Sequence, residues 1–234
     1  MTEPEFDRCS ASYEELLSDP VRHRFAGADS DFFHRRKCDL IRSYFRQLTL
    51  DTRAMSYLDV GCGQGKLLSL LRGDFARVAG CDVSPGMIGR ALGLDVRLQK
   101  DPCCIPFDNH EFDLVSVVCV YHHVSVANRV ALTREVARVL KPGGTLAIIE
   151  HNPHNPVTKL IVSRTPVDRN ARLLSAKETK ALQVDAGLTP AAVSYFLFFP
   201  ECIYKNGGAA AERWISMFPL GGQYAVFGRK CADE

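Results

Sequence analysis

Three short stretches concentrate groups that could do chemistry. In LDVGCGQGK (58–66), Asp59 precedes Gly61, Gly63 and Gly65. Glycines at alternate positions let the backbone turn sharply and let a ligand approach the main chain. The helix expected next would offer its unpaired N–H groups to an anion. Asp82 closes a second apolar run seventeen residues after Gly65, where a carboxylate can accept from two ribose hydroxyls. A dinucleotide fingerprint spaces its glycines GxGxxG; here the third comes one residue early. Asp59 would also repel a pyrophosphate, whereas it would welcome a sulfonium or an ammonium. These residues describe a pocket for a nucleoside with a positively charged tail.

The other two stretches are YHHV (121–124) and EHNPHNP (150–156), which hold four of the seven histidines: His122, His123, His151 and His154. Imidazole exchanges protons near neutral pH and also binds zinc or iron. A metal centre held by histidines of both loops is a second reading, disfavoured because neighbours such as His122 and His123 project their side chains apart unless the loop is contorted. The adjacent Cys103 and Cys104 are likewise badly placed to share one ion.

Positioning these groups requires regular elements, and the hydrophobic pattern supplies them. Residues 12–18 and 32–49 read as helices, the second with Phe33, Leu40, Ile41, Tyr44, Phe45 and Leu48 at helical spacing. Short apolar runs at 55–60, 77–83, 94–99, 112–120, 145–150, 191–199 and 223–230 read as strands. Between them, helices are expected at 64–73, at 84–92 (Ser84 as cap, Pro85 in the first turn), at about 126–140 and at 176–187. Strands that are apolar on both faces and alternate with helices imply a doubly wound, mostly parallel sheet. Such sheets bind ligands beyond the carboxyl ends of their strands, which is where all three stretches fall. One domain, 1–234, is expected, comprising a helical cap (1–55), a cofactor-binding half (56–150) and a substrate-side half (151–234) with an insertion at about 200–222.

Composition narrows the function classes. With 29 basic and 27 acidic residues and a formal charge of +2, the chain lacks the basic stripe of a nucleic-acid binder. The opening MTEPEFDRCS is acidic and polar, unlike a signal peptide, and no window holds eighteen uninterrupted apolar residues. A cytoplasmic protein without a membrane span is expected. Nine cysteines, an odd number with no CxxC spacing, argue against a disulfide framework and against a zinc ribbon.

Taken together, YLDVGCGQG (57–65), GCDVSPGMI (80–88), IPFDNHEFDLVSVVCVYHHV (105–124) and EVARVLKPGGTLAIIE (135–150) resemble, in order and spacing, the motifs of class I S-adenosylmethionine-dependent methyltransferases. The likeness is greatest to small-molecule enzymes of the quinone-biosynthesis kind. It implies a Rossmann-like seven-stranded, mostly parallel sheet with a C-terminal antiparallel strand and a helical N-terminal cap. It implies S-adenosylmethionine as cofactor and S-adenosylhomocysteine as product. In that frame Gly61, Gly63 and Gly65 shape the loop under the methionine part, and Asp59 orients its amino group. Asp82 holds the ribose, Val83 and Met87 flank the adenine, and Asp101, with Pro102 and Cys103, lies at the adenine amino group. Cys119 would offer its backbone carbonyl to the ammonium, and Tyr13 and Lys37 would cover the carboxylate. Strands four and five are neighbours in such a sheet, so the two histidine loops should share a rim beside the sulfonium. His122, His123 and His151 are then the candidate bases, with Glu150, Asn152 and Phe33 on the acceptor side. The acceptor is expected to be a small metabolite methylated on O or N, not a nucleic acid, and the chain a monomer or homodimer.

Overall fold

The structure, a computed structural model, describes residues 7, 10, 12–17, 19–26 and 31–232. Its sheet has seven strands: β1 Ser56–Val60, β2 Arg77–Asp82, β3 Asp95–Leu98, β4 Phe112–Val118, β5 Leu140–His151, β6 Leu188–Phe196 and β7 Gln223–Lys230. They lie in the order β3-β2-β1-β4-β5-β7-β6. All are parallel except β7, which runs antiparallel between β5 and β6. The doubly wound sheet with an antiparallel last strand is therefore as expected. Chain order reverses between β1 and β4, so a crevice opens beyond Val60 and Val118.

Alternation along the strands builds a core on each face. On β5, Ala147 and Ile149 face one layer, with Tyr44, Phe45, Leu67, Leu68 and Phe227. Leu146 and Ile148 face the other, with Leu58, Val60, Val115, Leu132 and Val136. The first layer is covered by α3 Phe32–Gln47 and α4 Lys66–Leu71, the second by α6 Val126–Val139 and α8 Ala176–Asp185. The Tyr44 ring stacks on Phe227 at 3.9 Å between centroids, pinning α3 to β7. Burying a Leu or Ile side chain contributes about 1.5–3 kcal/mol, so the fully buried run 146–149 anchors the strand that carries Glu150 and His151.

Several element ends differ from expectation for local reasons. Strand β4 stops at Val118 because Cys119 takes φ +56°, and β6 stops at Phe196 because Leu197 takes φ +62°. Strand β5 starts at Leu140 instead of 145, taking in the Lys141–Gly144 segment; its pairing with β4 shifts register there. Four further helices connect these parts: α1 Tyr13–Leu16, α2 Pro20–Ala26, α5 Pro85–Ile88 and α7 Pro156–Arg164. Helices α2 and α7 were not anticipated. The start of α7 repeats the logic of α5: Asn155 Oδ1 accepts from Thr158 N at 2.9 Å with Pro156 in the first turn, as Ser84 Oγ accepts from Met87 N at 3.2 Å before Pro85. Residues 200–222 contain α9 Glu201–Ile203 and α10 Ala209–Ile215. Trp214 and Phe218 in this insertion are exposed, at 85% and 58%.

Candidate active site

The glycine loop is held by β2. Gly61 N and Cys62 N both donate to Cys81 O, at 2.8 and 3.1 Å, and Gly63 N donates to Asp82 Oδ2 at 2.8 Å. Gly61 and Gly65 have φ of +73° and +75°, and a Cβ would lie 2.3 Å from Val120 Cγ2 and 2.4 Å from Leu94 Cδ1 respectively. Both glycines are required twice over, by conformation and by packing. Gly63, at φ +54°, is different: a Cβ there would meet nothing within 4 Å.

Two buried carboxylates flank this loop. Asp82 Oδ1 accepts from Ser84 N at 2.9 Å, so backbone N–H groups anchor both of its oxygens. Burial raises its pKa against those bonds. Asp59 accepts from Ser116 Oγ at 2.5 Å, and Ser116 is bonded in turn to the Tyr57 hydroxyl at 2.8 Å. Burial pushes the Asp59 carboxyl up to about 7, with Ser116 and the Lys37 charge opposing it. Lys37, itself buried on α3, brings Nζ to 3.6 Å from Cys119 Sγ. Val83 is half-buried, and Met87 is buried under α5. Asp7 and Ser10 lie against this end: Asp7 Oδ1 accepts from Ser84 Oγ and Gly86 N at 2.8 and 2.7 Å, and Gln64 Nε2 donates to Ser10 O at 3.3 Å. Tyr13 on α1 keeps its proton, through burial and then through the neighbouring Cys119 and Asp168 charges. Asp101 Oδ1 accepts from Cys103 N at 2.7 Å, closing a turn after β3 whose Pro102 carbonyl accepts from Gln99 Nε2 at 2.8 Å. Asp101 and Pro102 are exposed and Cys103 is half-buried.

Beyond β4 and β5 the two histidine loops do meet. Glu150, fully buried, accepts from Val120 N and Tyr121 N at 3.0 and 2.8 Å through one oxygen and from His122 Nδ1 at 2.5 Å through the other. Glu150 therefore shapes the 120–122 loop from within. His122 and His123 do not diverge. A tight turn, with His123 N donating to Val120 O and Val124 N to Tyr121 O, follows the left-handed Cys119 and folds both rings to one side. Their centroids are 4.1 Å apart. Both Nε2 atoms face Asp168 Oδ1, at 3.5 Å from His122 and 3.3 Å from His123. Burial would lower the His122 pKa, but Glu150 and Asp168 raise it to about 10. Asp168 stays well below the usual carboxylate range, because His122 and His123 outweigh its burial.

His151, half-buried, lies 5.2 Å from His122 between ring centroids, and its Nδ1 is 3.3 Å from Gln223 Nε2. Gln223 Nε2 also reaches Cys119 Sγ at 3.7 Å. Burial should raise that thiol, yet Lys37 and His151 bring it down to about 7. Cys62 and Cys81, by contrast, are inert buried thiols, their pKa values pushed above the ordinary range. Asn152, fully buried, is used inside the fold: Nδ2 donates to Pro219 O and Gly221 O at 3.0 and 2.8 Å, and Oδ1 accepts from His154 N at 3.0 Å. Phe33 makes its ring contacts with Phe32, at 5.2 Å, and with Arg22. Asp168, Gln223, Ser116 and Asp7 were missed by sequence reasoning. Only Gln223 carried a local signal, as a polar residue opening an otherwise apolar strand.

A 3-2-1-4-5-7-6 sheet with a glycine loop after β1 and an acid closing β2 defines the class I methyltransferase architecture. Residues 58–148 match the Methyltransf_11 family, a methyltransferase domain. Over those residues the chain is similar to the class I methyltransferases, which use S-adenosylmethionine as cofactor. It is 33% identical over 115 residues (45% of this chain, 51% of the relative) to demethylmenaquinone methyltransferase of Thermus thermophilus. It is 37% identical over 93 residues (38% of this chain, 20% of the relative) to the probable tRNA methyltransferase 9B of Bos taurus. The chain thus spans about half or less of the length of these curated relatives. Among solved structures, the putative methyltransferase in complex with the Haloferax volcanii Trm112 methyltransferase activator superposes with a TM-score of 0.67 at 22% identity, covering 99% of this chain and all of that one. At that identity the likeness concerns the fold alone.

Proposed function

We propose that this chain transfers the methyl group of S-adenosylmethionine to an O or N atom of a small metabolite. The observation that carries the reading is the meeting, at one sheet edge, of a glycine loop, two buried acids and a rim made of Cys119, His151 and Gln223. The residues fit the cofactor. The open space over Gly63 admits it, the carboxylate of Asp82 suits the ribose hydroxyls, and Asp59 suits an ammonium while Lys37 suits a carboxylate. When bound, the cofactor supplies a methyl group on a positive sulfur, already reactive. This chain's own residues have two tasks, to hold the acceptor in line and to take its proton. In-line holding is worth about 7–11 kcal/mol at best, and a positioned base about 10²–10⁴-fold.

Of the three candidate bases, His151 Nε2 suits proton removal best. It is half-buried, so an acceptor can reach it, whereas His122 is 2% exposed and has a carboxylate beside each of its ring nitrogens. His122 and His123 instead brace the rim. No helix among the described residues is long and apolar enough to cross a membrane. The test is transfer of labelled methyl groups from S-adenosylmethionine into a metabolite extract and into a tRNA pool, offered separately. Label in the small-molecule fraction, lost in Asp82→Ala and cut at least tenfold in His151→Ala, is expected. Label confined to tRNA would overturn the small-molecule acceptor.

A further inference from the structure

The side chains that brace the rim have the composition of a metal centre. His122 Nε2, His123 Nε2 and Asp168 Oδ1 lie within 4.8 Å of one another. Their separations from the shared carboxylate oxygen, 3.5 and 3.3 Å, are long for charge-assisted hydrogen bonds, which close to about 2.7–2.9 Å. They match the edge of a tetrahedron around an ion with bonds of about 2.0–2.2 Å, which is roughly 3.4 Å.

A second feature is independent of these distances. Glu150 Oε2 holds His122 Nδ1 at 2.5 Å and is fully buried. A carboxylate behind the remote ring nitrogen is how metal-binding histidines are oriented: it fixes the proton on Nδ1 and aims the Nε2 lone pair at the ion. Glu150 and Asp168 also place two negative charges in a nearly closed space, and their ion pairs among the described residues are with histidines alone. A divalent cation matches that charge. The path in is from the rim, where the side chains of His123 and Asp168 retain 15% and 10% exposure.

We propose that His122, His123 and Asp168 form a site for one divalent first-row transition-metal ion, with Glu150 as the carboxylate that orients His122. Two imidazoles and one carboxylate leave at least one coordination position open, the mark of a site that meets substrate instead of one that only braces the fold. The site's existence stands on these four side chains. Its role rests on the methyl-transfer reading: the open position faces the acceptor rim and selects acceptors with an oxygen donor able to ligate the ion. The ion is thus a handle for the acceptor, close to the His151 base.

The test uses tag-free protein in a Cys103→Ser, Cys104→Ser background, so that these adjacent thiols cannot capture the probe. Cobalt(II) is titrated and followed by its visible absorption, with S-adenosylhomocysteine binding measured on the same samples. The expected result is one cobalt per chain, with the spectrum of a nitrogen- and oxygen-ligated ion and no thiolate band. Affinity should fall at least about tenfold in His123→Gln and in Asp168→Asn, while S-adenosylhomocysteine still binds. In Glu150→Gln, affinity should fall about 10–100-fold, the usual effect of removing such an outer partner. Cobalt binding that is weak in the parent protein, or equal in parent, His123→Gln and Asp168→Asn, would overturn the site. If S-adenosylhomocysteine fails to bind the parent protein, the methyl-transfer reading and the ion's role fall, and the cobalt data still decide the site itself.

Discussion

The three glycines of the loop should not respond alike to alanine, and the difference tests which of them faces the cofactor. At Gly61 an added Cβ meets two penalties. The left-handed backbone, φ +73°, costs a residue with a side chain about 1–2 kcal/mol. The Cβ would also lie 2.3 Å from Val120 Cγ2, and relieving such an overlap costs a further ~1–3 kcal/mol. Gly63→Ala meets only the first penalty, because nothing in the protein lies within 4 Å of its Cβ. For a chain of this size each kcal/mol moves Tm by about 2–4 °C. Gly63→Ala should therefore lower Tm by roughly 2–8 °C, and Gly61→Ala by roughly 4–20 °C. Cofactor binding should not follow stability: the new methyl group in Gly63→Ala occupies the space assigned to the cofactor, and calorimetry should show affinity for S-adenosylhomocysteine at least about tenfold weaker. Gly63→Ala protein that binds S-adenosylhomocysteine as tightly as the parent would refute the assignment of that open space.

Three other outcomes are expected. The Asp59 carboxyl, raised to about 7 by burial, binds a proton in the folded state at pH values where the unfolded chain does not, so its burial lowers stability increasingly as pH rises from about 4 to about 7. An ammonium beside it favours the charged form; affinity for S-adenosylmethionine should rise by up to about tenfold from pH 6 to pH 8, and calorimetry on Asp59→Asn should show no such slope. Asp82→Asn must set an NH₂ group against one of two backbone donors, Gly63 N or Ser84 N; a stability loss of about 1–3 kcal/mol by denaturant titration and a roughly 100-fold weaker cofactor affinity should result. Cys119, with its thiol lowered to about 7, should be alkylated by iodoacetamide at neutral pH well before buried Cys38, Cys62 and Cys81. Peptide mapping should also find it protected by S-adenosylhomocysteine.

Much of this was legible in the sequence because the sheet is buried on both faces. Strands such as FDLVSVV and TLAIIE then read as continuous apolar runs, and the polar groups left over gather at their ends. Asp59, Asp82 and the glycines were visible for that reason. The acceptor side was less legible, since its geometry comes from tertiary contacts that leave no local trace. Asp168 sits in an ordinary TPVD turn, and only the fold brings it to two histidines more than forty residues earlier. Glu150 and Asn152 were recognised as unusual polar residues after a strand, but their hydrogen bonds to Val120 N, Tyr121 N, Pro219 O and Gly221 O turn them inward. The expectation that His122 and His123 diverge assumed an extended loop. The left-handed Cys119, a conformation uncommon outside glycine, made the turn that brings them together.

The position of β7 has a consequence for how the chain is made. Residues 223–230 enter the sheet between β5 and β6, so during synthesis from the N-terminus both of those strands wait with an open edge. The edge of β5 carries Leu146–Ile149, an apolar segment suited to pairing with another chain. Gln223 also arrives with the last strand, so the thiol of Cys119 gains its final neighbour only as the sheet closes. A ribosome paused before residue 223 would thus hold a cofactor half with its strands laid down, an unfinished rim, and its most adhesive surface still exposed.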